Sequence, residues 1–113
     1  MREKVIKLAR EQLQTLTEPM YYVLLALSQP MHGYEIMRTV NEMTGGRLKV
    51  GAGTLYALLA RFEADGIALL VGEEGRRKTY TLSDKGRALL DREYARLKEL
   101  VAAYIKRLLI KPE

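Results

Sequence analysis

The stretch "IALLVGEEGRRKTYTLSDKG", residues 67–86, decides the fold. Two short β-rich runs, 67–71 and 78–82, flank "GEEGRR", and that composition reads as a two-stranded hairpin. In the second run Tyr80 and Leu82 share one face while Thr79 and Thr81 share the other. Ser83 then serves as the N-cap of a final long helix, with Asp84 at its positive end. The hairpin tip crowds two carboxylates, a glycine and the cations Arg76, Arg77 and Lys78 between apolar runs. It is either a soluble loop end or a probe for a polyanion. Glu73 and Glu74 are expected to face away from such a partner or to limit non-specific attraction.

Upstream of the hairpin the periodicity is helical. Leu55, Leu58, Leu59 and Phe62 recur at i, i+3, i+4 and i+7, a core stripe, and Gly66 stops that helix. Thr54, Ala57 and Arg61 fall on its other side, with Tyr56 at the flank. The preceding segment sets Ile36, Val40 and Met43 on one face and ends at Gly45-Gly46. Before it, "PMYYVLLALSQ" is apolar nearly all round, which marks a buried helix. Thr17 caps its start, and Gln29-Pro30 is expected to end it. A short amphipathic helix is expected at 2–14, where Val5, Leu8, Ala9 and Leu13 share a face.

Downstream, Leu90, Tyr94, Leu97, Val101, Tyr104 and Leu108 alternate in steps of four and three, a heptad-type seam. A helix of about 25 residues would be nearly 40 Å long, more than so small a core could cover. The seam is therefore assigned to a homodimer interface; the alternative is a helix folded back over its own domain.

Composition narrows the function. A chain of 113 residues holds one domain, and its net charge of +5 favours polyanionic partners. There is no cysteine, so disulfides, thiolate zinc sites and cysteine nucleophiles are excluded. His32 is the single histidine, which argues against an imidazole-built metal site, and no cofactor is implied. No apolar run is long enough to cross a bilayer and no signal region opens the chain, so a soluble, cytoplasmic protein with no membrane partner is expected. No Ser/His/Asp set or phosphate-cradling loop is present, and "GAGTLYALLA" lacks the βαβ context of a nucleotide-binding glycine loop, so the chain is not read as an enzyme.

Three helices, a hairpin and a long helix make a mainly α fold with a small β-hairpin, the order of a winged helix-turn-helix. On this reading residues 1–83 form the DNA-binding domain and 84–113 the dimerisation helix. "LTEPMYYVLLALS" (16–28), "HGYEIM" (32–37), "GAGTLYALLARFEADG" (51–66) and "GRRKTYTLSDKG" (75–86) together resemble the PadR-like family of transcriptional regulators. Ala52 and Ala57 depart from the family's commonest pattern, which favours proline at both places; this bears on fine DNA specificity rather than on fold. The resemblance implies a repressor that binds an inverted repeat of double-stranded DNA as a homodimer through its C-terminal region. The single C-terminal helix is similar to the compact branch of the family, whose members often respond to a small aromatic or cationic effector near the dimer interface.

The candidate DNA contacts follow. Thr54 and Tyr56 open the third helix, where hydroxyls reach phosphates or base edges. Gly53 permits close backbone approach, or is only a helix-start glycine. Tyr34 reaches a phosphate or is core. Lys49 and Arg61 are DNA contacts or ordinary solvated charges, with Asp65 as a rival partner for Arg61. Arg76, Arg77 and Lys78 supply phosphate affinity. Tyr94 and Tyr104 are read as packing aromatics before ligand contacts. Two functions of other classes stand beside this one: a winged-helix protein-interaction module, and an effector-binding protein without DNA activity.

Overall fold

The computed structural model describes residues 15–110, and the helix expected at 2–14 lies outside the described residues. The elements run α1 (Glu18–Ala26), β1 (Met31–His32), α2 (Gly33–Met43), α3 (Ala52–Ala64), β2 (Ala68–Glu74), β3 (Arg77–Leu82) and α4 (Asp84–Tyr104). One π-helical turn, Ile105–Leu109, extends α4, and its residues are exposed.

The helix ends follow local chemistry. Thr17 Oγ1 accepts the Met20 N–H at 3.4 Å, and Pro19 and Glu18 occupy the first turn of α1. The helix stops at Ala26, short of the expected Gln29-Pro30. The Leu27 carbonyl is drawn instead to the Leu82 N–H of β3 at 2.9 Å, which ties α1 to the sheet. His32 begins α2 with a reciprocal cap: its Nδ1 accepts the Glu35 N–H while Glu35 Oε1 accepts the His32 N–H. Gly45 and Gly46, at φ +60° and +84°, end α2 in a conformation that side chains resist.

Val23, Leu24, Leu27, Ile36, Val40, Leu55, Leu59 and Phe62 are all but inaccessible and join α1, α2 and α3 into one core. Met43, expected on the buried face of α2, is exposed at the last turn. The sheet has the order β1-β3-β2, all antiparallel. The two-residue β1, too short for any periodicity, was not expected from the sequence. Both hairpin strands run further toward the tip than their apolar runs suggested, leaving Gly75 (φ +59°) and Arg76 as the turn. Val71 bulges between the pairs Leu70–Tyr80 and Gly72–Thr79.

Ser83 joins the hairpin to α4. Its Oγ accepts the Gly86 N–H at 3.0 Å and lies 2.6 and 2.9 Å from the carbonyls of Gly66 and Ile67. Its own N–H donates to Ile67 O at 3.0 Å. One residue therefore holds the end of α3's loop against the start of α4.

A second tie lies further along α4. Glu93 is 5 % exposed; its Oε2 accepts the Leu16 N–H at 2.6 Å, and Arg96 Nε donates to Oε1. Glu93→Ala strands that partly buried amide and frees Arg96, and should cost about 1–3 kcal/mol of stability. Urea denaturation measures it, and a midpoint equal to wild type would remove the clamp from the stability account.

Candidate nucleic-acid interface

The exposed side of α3 carries Gly53, Ala57, Ala60 and Ala64, spaced three and four residues apart. Small side chains there leave the helix backbone open to close approach. Larger groups border this smooth strip: Tyr56 on one edge, Thr54 and Arg61 on the other.

On the Tyr56 edge a cleft of about 640 Å³ opens between α3, the start of α2 and the wing. His32, Gly33 and Tyr34 form one wall; Tyr56, Leu59, Ala60 and Glu63 form the second. Arg76, Arg77, Lys78 and Tyr80 close it from the hairpin. Tyr34, Tyr56 and the three wing cations, picked out separately from the sequence, thus meet around one concavity. Tyr34 is 66 % exposed, so the alternative that it belongs to the core is set aside. Arg38 extends the same surface, its guanidinium 6.0 Å from the Tyr34 ring centre.

The Tyr56 ring lies against the first residue of α2. A Cβ added at Gly33 would meet Tyr56 Oη at 2.9 Å and Cε1 at 3.2 Å. Gly33 is buried under this ring, which its missing side chain allows to settle there.

The charges are unequally free. Arg76, Arg77, Lys78 and Lys49 are exposed and have no carboxylate at ion-pair distance among the described residues. Arg47 is bound to Glu18, which also raises its pKa through hydrogen bonding and charge. Arg61 Nε sits 3.9 Å from Asp65 Oδ2, an exposed and loose pair. Gly53, Thr54, Lys49 and Arg61 lie outside the cleft, on the exposed surface of α3 and the loop before it. The register pairs Glu73 with Lys78 and Glu74 with Arg77. Residues directly opposite share a face, so each glutamate stands beside a cation.

Sequence reasoning missed His32, Glu63 and Tyr80 as lining residues. Tyr80 is 7 % exposed, with its ring in the core. Burial and then the Glu63 carboxylate hold its pKa above the usual phenol value, against a smaller opposing pull from Lys78. Nothing in an alternating strand pattern marks which buried tyrosine lines a cleft.

The seam residues divide into two groups. Leu90 is buried in the protomer's own core, because the first turns of α4 pack on the hairpin and α1; it is not available to a second subunit. Leu97 is half-buried, while Tyr94, Val101, Tyr104 and Leu108 form an exposed apolar stripe. An apolar groove of about 430 Å³ runs beside Tyr21, Tyr94, Leu97, Val101 and Ile105, with Lys98 Nζ 5.2 Å from the Tyr94 ring centre. Among the described residues no acidic, His or Cys cluster could hold a metal ion, and no helix is long and apolar enough to cross a membrane.

A helical trio, a three-stranded sheet ending in a basic hairpin, and an outward-facing third helix define a winged helix-turn-helix protein. Residues 23–92 match the PadR-like family of transcriptional regulators, and the chain belongs to that family. A PadR family transcriptional regulator from Eggerthella lenta superposes with a TM-score of 0.65 at 25 % identity, covering 94 % of this chain and 90 % of that one. A PadR-like transcription factor from Bacteroides fragilis gives 0.64 at 28 % identity over 84 % and 93 % of the two chains. A protein of 37.1 kDa in transposon Tn4556 of Streptomyces fradiae is 43 % identical over 72 residues, 63 % of this chain. The chain spans about a fifth of that relative's length, 20 %.

Proposed function

We propose that this protein binds double-stranded DNA as a homodimer and regulates transcription, acting as a cytoplasmic repressor on an inverted repeat. The observation that carries the reading is the convergence of Tyr34 and Tyr56 with the exposed cations Arg76, Arg77 and Lys78 around one cleft beside the exposed face of α3. The N-terminal turns of α3 enter the major groove with Thr54 and Tyr56 at its edge, where their hydroxyls reach phosphates or base edges, and the small residues of its outward face let the backbone sink in. The wing lies on the flanking phosphates, with Lys49 and Arg61 adding charge beside the groove. Residues 1–83 then form the reading head and 84–113 the assembly helix, whose stripe of Tyr94, Leu97, Val101, Tyr104 and Leu108 is covered by a second copy.

Two α3 helices in such a dimer reach successive major grooves about 34–36 Å apart, so the operator has two half-sites one helical turn apart. Selection of bound genomic fragments, followed by footprinting and gel shifts at several salt concentrations, tests this. Protected half-sites at that spacing and a steep salt dependence are expected. Absence of any duplex shift would sink the reading in favour of a protein-interaction module or a pure effector-binding protein. Light scattering that finds a monomer at micromolar concentration would sink the dimer.

Gly33→Ala offers a sharper test of the tyrosine wall. The new methyl pushes the Tyr56 hydroxyl end aside while the helix cap survives. Duplex affinity should fall about threefold to tenfold, the worth of one weakened hydrogen bond. Unchanged affinity would separate Tyr56 from DNA contact.

The apolar groove at Tyr21 and Tyr94 supports release by a small effector. With Lys98 already over the Tyr94 ring, a flat aromatic compound fits better than a cation.

A further inference from the structure

We propose that the cleft between α2, α3 and the wing seats a single phosphodiester of the DNA backbone, with the Tyr80 hydroxyl as its floor contact. This rests on the DNA-binding function proposed above and assigns a residue and a ligand atom to it. Tyr80 differs from the other two tyrosines of the cleft. Tyr34 and Tyr56 are exposed and reach in from the rim, whereas the Tyr80 ring is fixed in the core by packing. Its hydroxyl makes no hydrogen bond among the described residues, yet no buried side-chain polar atom there lacks a partner. The hydroxyl therefore opens onto the cleft it lines, as a donor held in place without an acceptor among the described residues.

The surrounding groups select the ligand. Tyr34, Tyr56, Arg76, Arg77 and Lys78 all offer donors to the same space, and phosphate oxygens are pure acceptors. A base edge presents donors as well as acceptors and would leave some of its own groups unmatched. Among the described residues, Glu63 is the one carboxylate that lines the cleft. In the free protein it balances part of the wing's charge, and it opposes an incoming phosphate. Because the seat touches only the backbone, it contributes equally on every sequence and fixes the angle of the wing against α3.

Tyr80→Phe keeps the ring and removes only the donor. Loss of one hydrogen bond to a charged oxygen should weaken binding to operator and unrelated duplexes alike by about tenfold. The melting temperature and the salt slope should match wild type, since a hydroxyl releases no counterion. Wild-type affinity in a variant of normal melting temperature would overturn the seat while leaving the DNA-binding function intact; failure of wild type itself to shift any duplex would instead remove that function. Should Tyr80→Phe fail to fold, Glu63→Gln decides. Relief of a single repulsion near the surface should tighten binding by about fivefold, and unchanged affinity would overturn the proposal. Displacement of the duplex by millimolar inorganic phosphate at constant ionic strength would overturn the assignment to the DNA backbone and make the seat one for a free anion.

Discussion

Gly86→Ala is expected to cost about 3 kcal/mol or more of folding stability, the upper range for forcing a methyl into a filled space. A Cβ at this position would lie 2.2 Å from the Ile67 carbonyl oxygen, 2.8 Å from Leu82 Cδ1 and 3.1 Å from the Ile67 carbonyl carbon. The leucine can rotate, but the carbonyl belongs to backbone pinned between the end of α3 and β2. That same carbonyl accepts the Ser83 N–H and lies within reach of the Ser83 hydroxyl, so moving it strains the cap of α4 as well. For a chain of this size the melting temperature should drop on the order of 10–20 °C. Gly53→Ala is the matched control: nothing lies within 4 Å of its added Cβ, and helix propensity favours alanine by up to about 1 kcal/mol. Thermal unfolding of both variants measures the difference. A Gly86→Ala protein melting with wild type would mean that the junction is looser than its geometry states.

The joint replacement Arg76→Ala with Arg77→Ala is expected to weaken binding to every duplex by about tenfold to a hundredfold at moderate salt. The slope of log affinity against log salt should flatten by about one to two units, because each lost phosphate contact keeps one counterion on the DNA. Discrimination between operator and unrelated sequence should change little, since phosphate contacts position without reading bases. Both arginines are exposed and unpaired by the ion-pair distances above, so neither substitution removes packing from the core. Lys78, Tyr34 and Tyr56 remain on the cleft, which keeps residual binding measurable. An unchanged slope in salt-titrated gel shifts would detach the wing from the DNA. Lost selectivity at an unchanged slope would mean that the wing reads bases.

Much of the fold was legible because local chemistry and global packing agree in this chain. Thr17 and Ser83 cap the helices their positions suggest, Gly45-Gly46 and Gly66 take left-handed conformations where helices end, and Leu55, Leu59 and Phe62 are buried at the expected spacing. What escaped the sequence depends on partners remote in the chain. The strand β1 exists only through β3, and the early end of α1 follows from a carbonyl claimed by Leu82. Leu90 carries the same heptad signature as Tyr94, yet it falls inside the head's own core; periodicity gives the side of a helix but not where the covering neighbour ends. Gly86, in an ordinary helical position, carries no sign of the carbonyl pressed against it. The cleft was half visible: the cations and the rim tyrosines could be named from composition and position, while His32, Glu63 and Tyr80 join them only through the tertiary fold.

The cross-strand pairing of Glu73 with Lys78 and Glu74 with Arg77 has a kinetic meaning. Two carboxylates beside three cations leave the hairpin tip with a net charge of only +1. Beyond a Debye length of about 8 Å at physiological salt, such a cluster exerts almost no pull on a duplex. The wing would therefore do little to hasten encounter, and its arginines would act after contact, by slowing escape. A wing built this way would trade fast capture for a weaker hold on duplex it does not need.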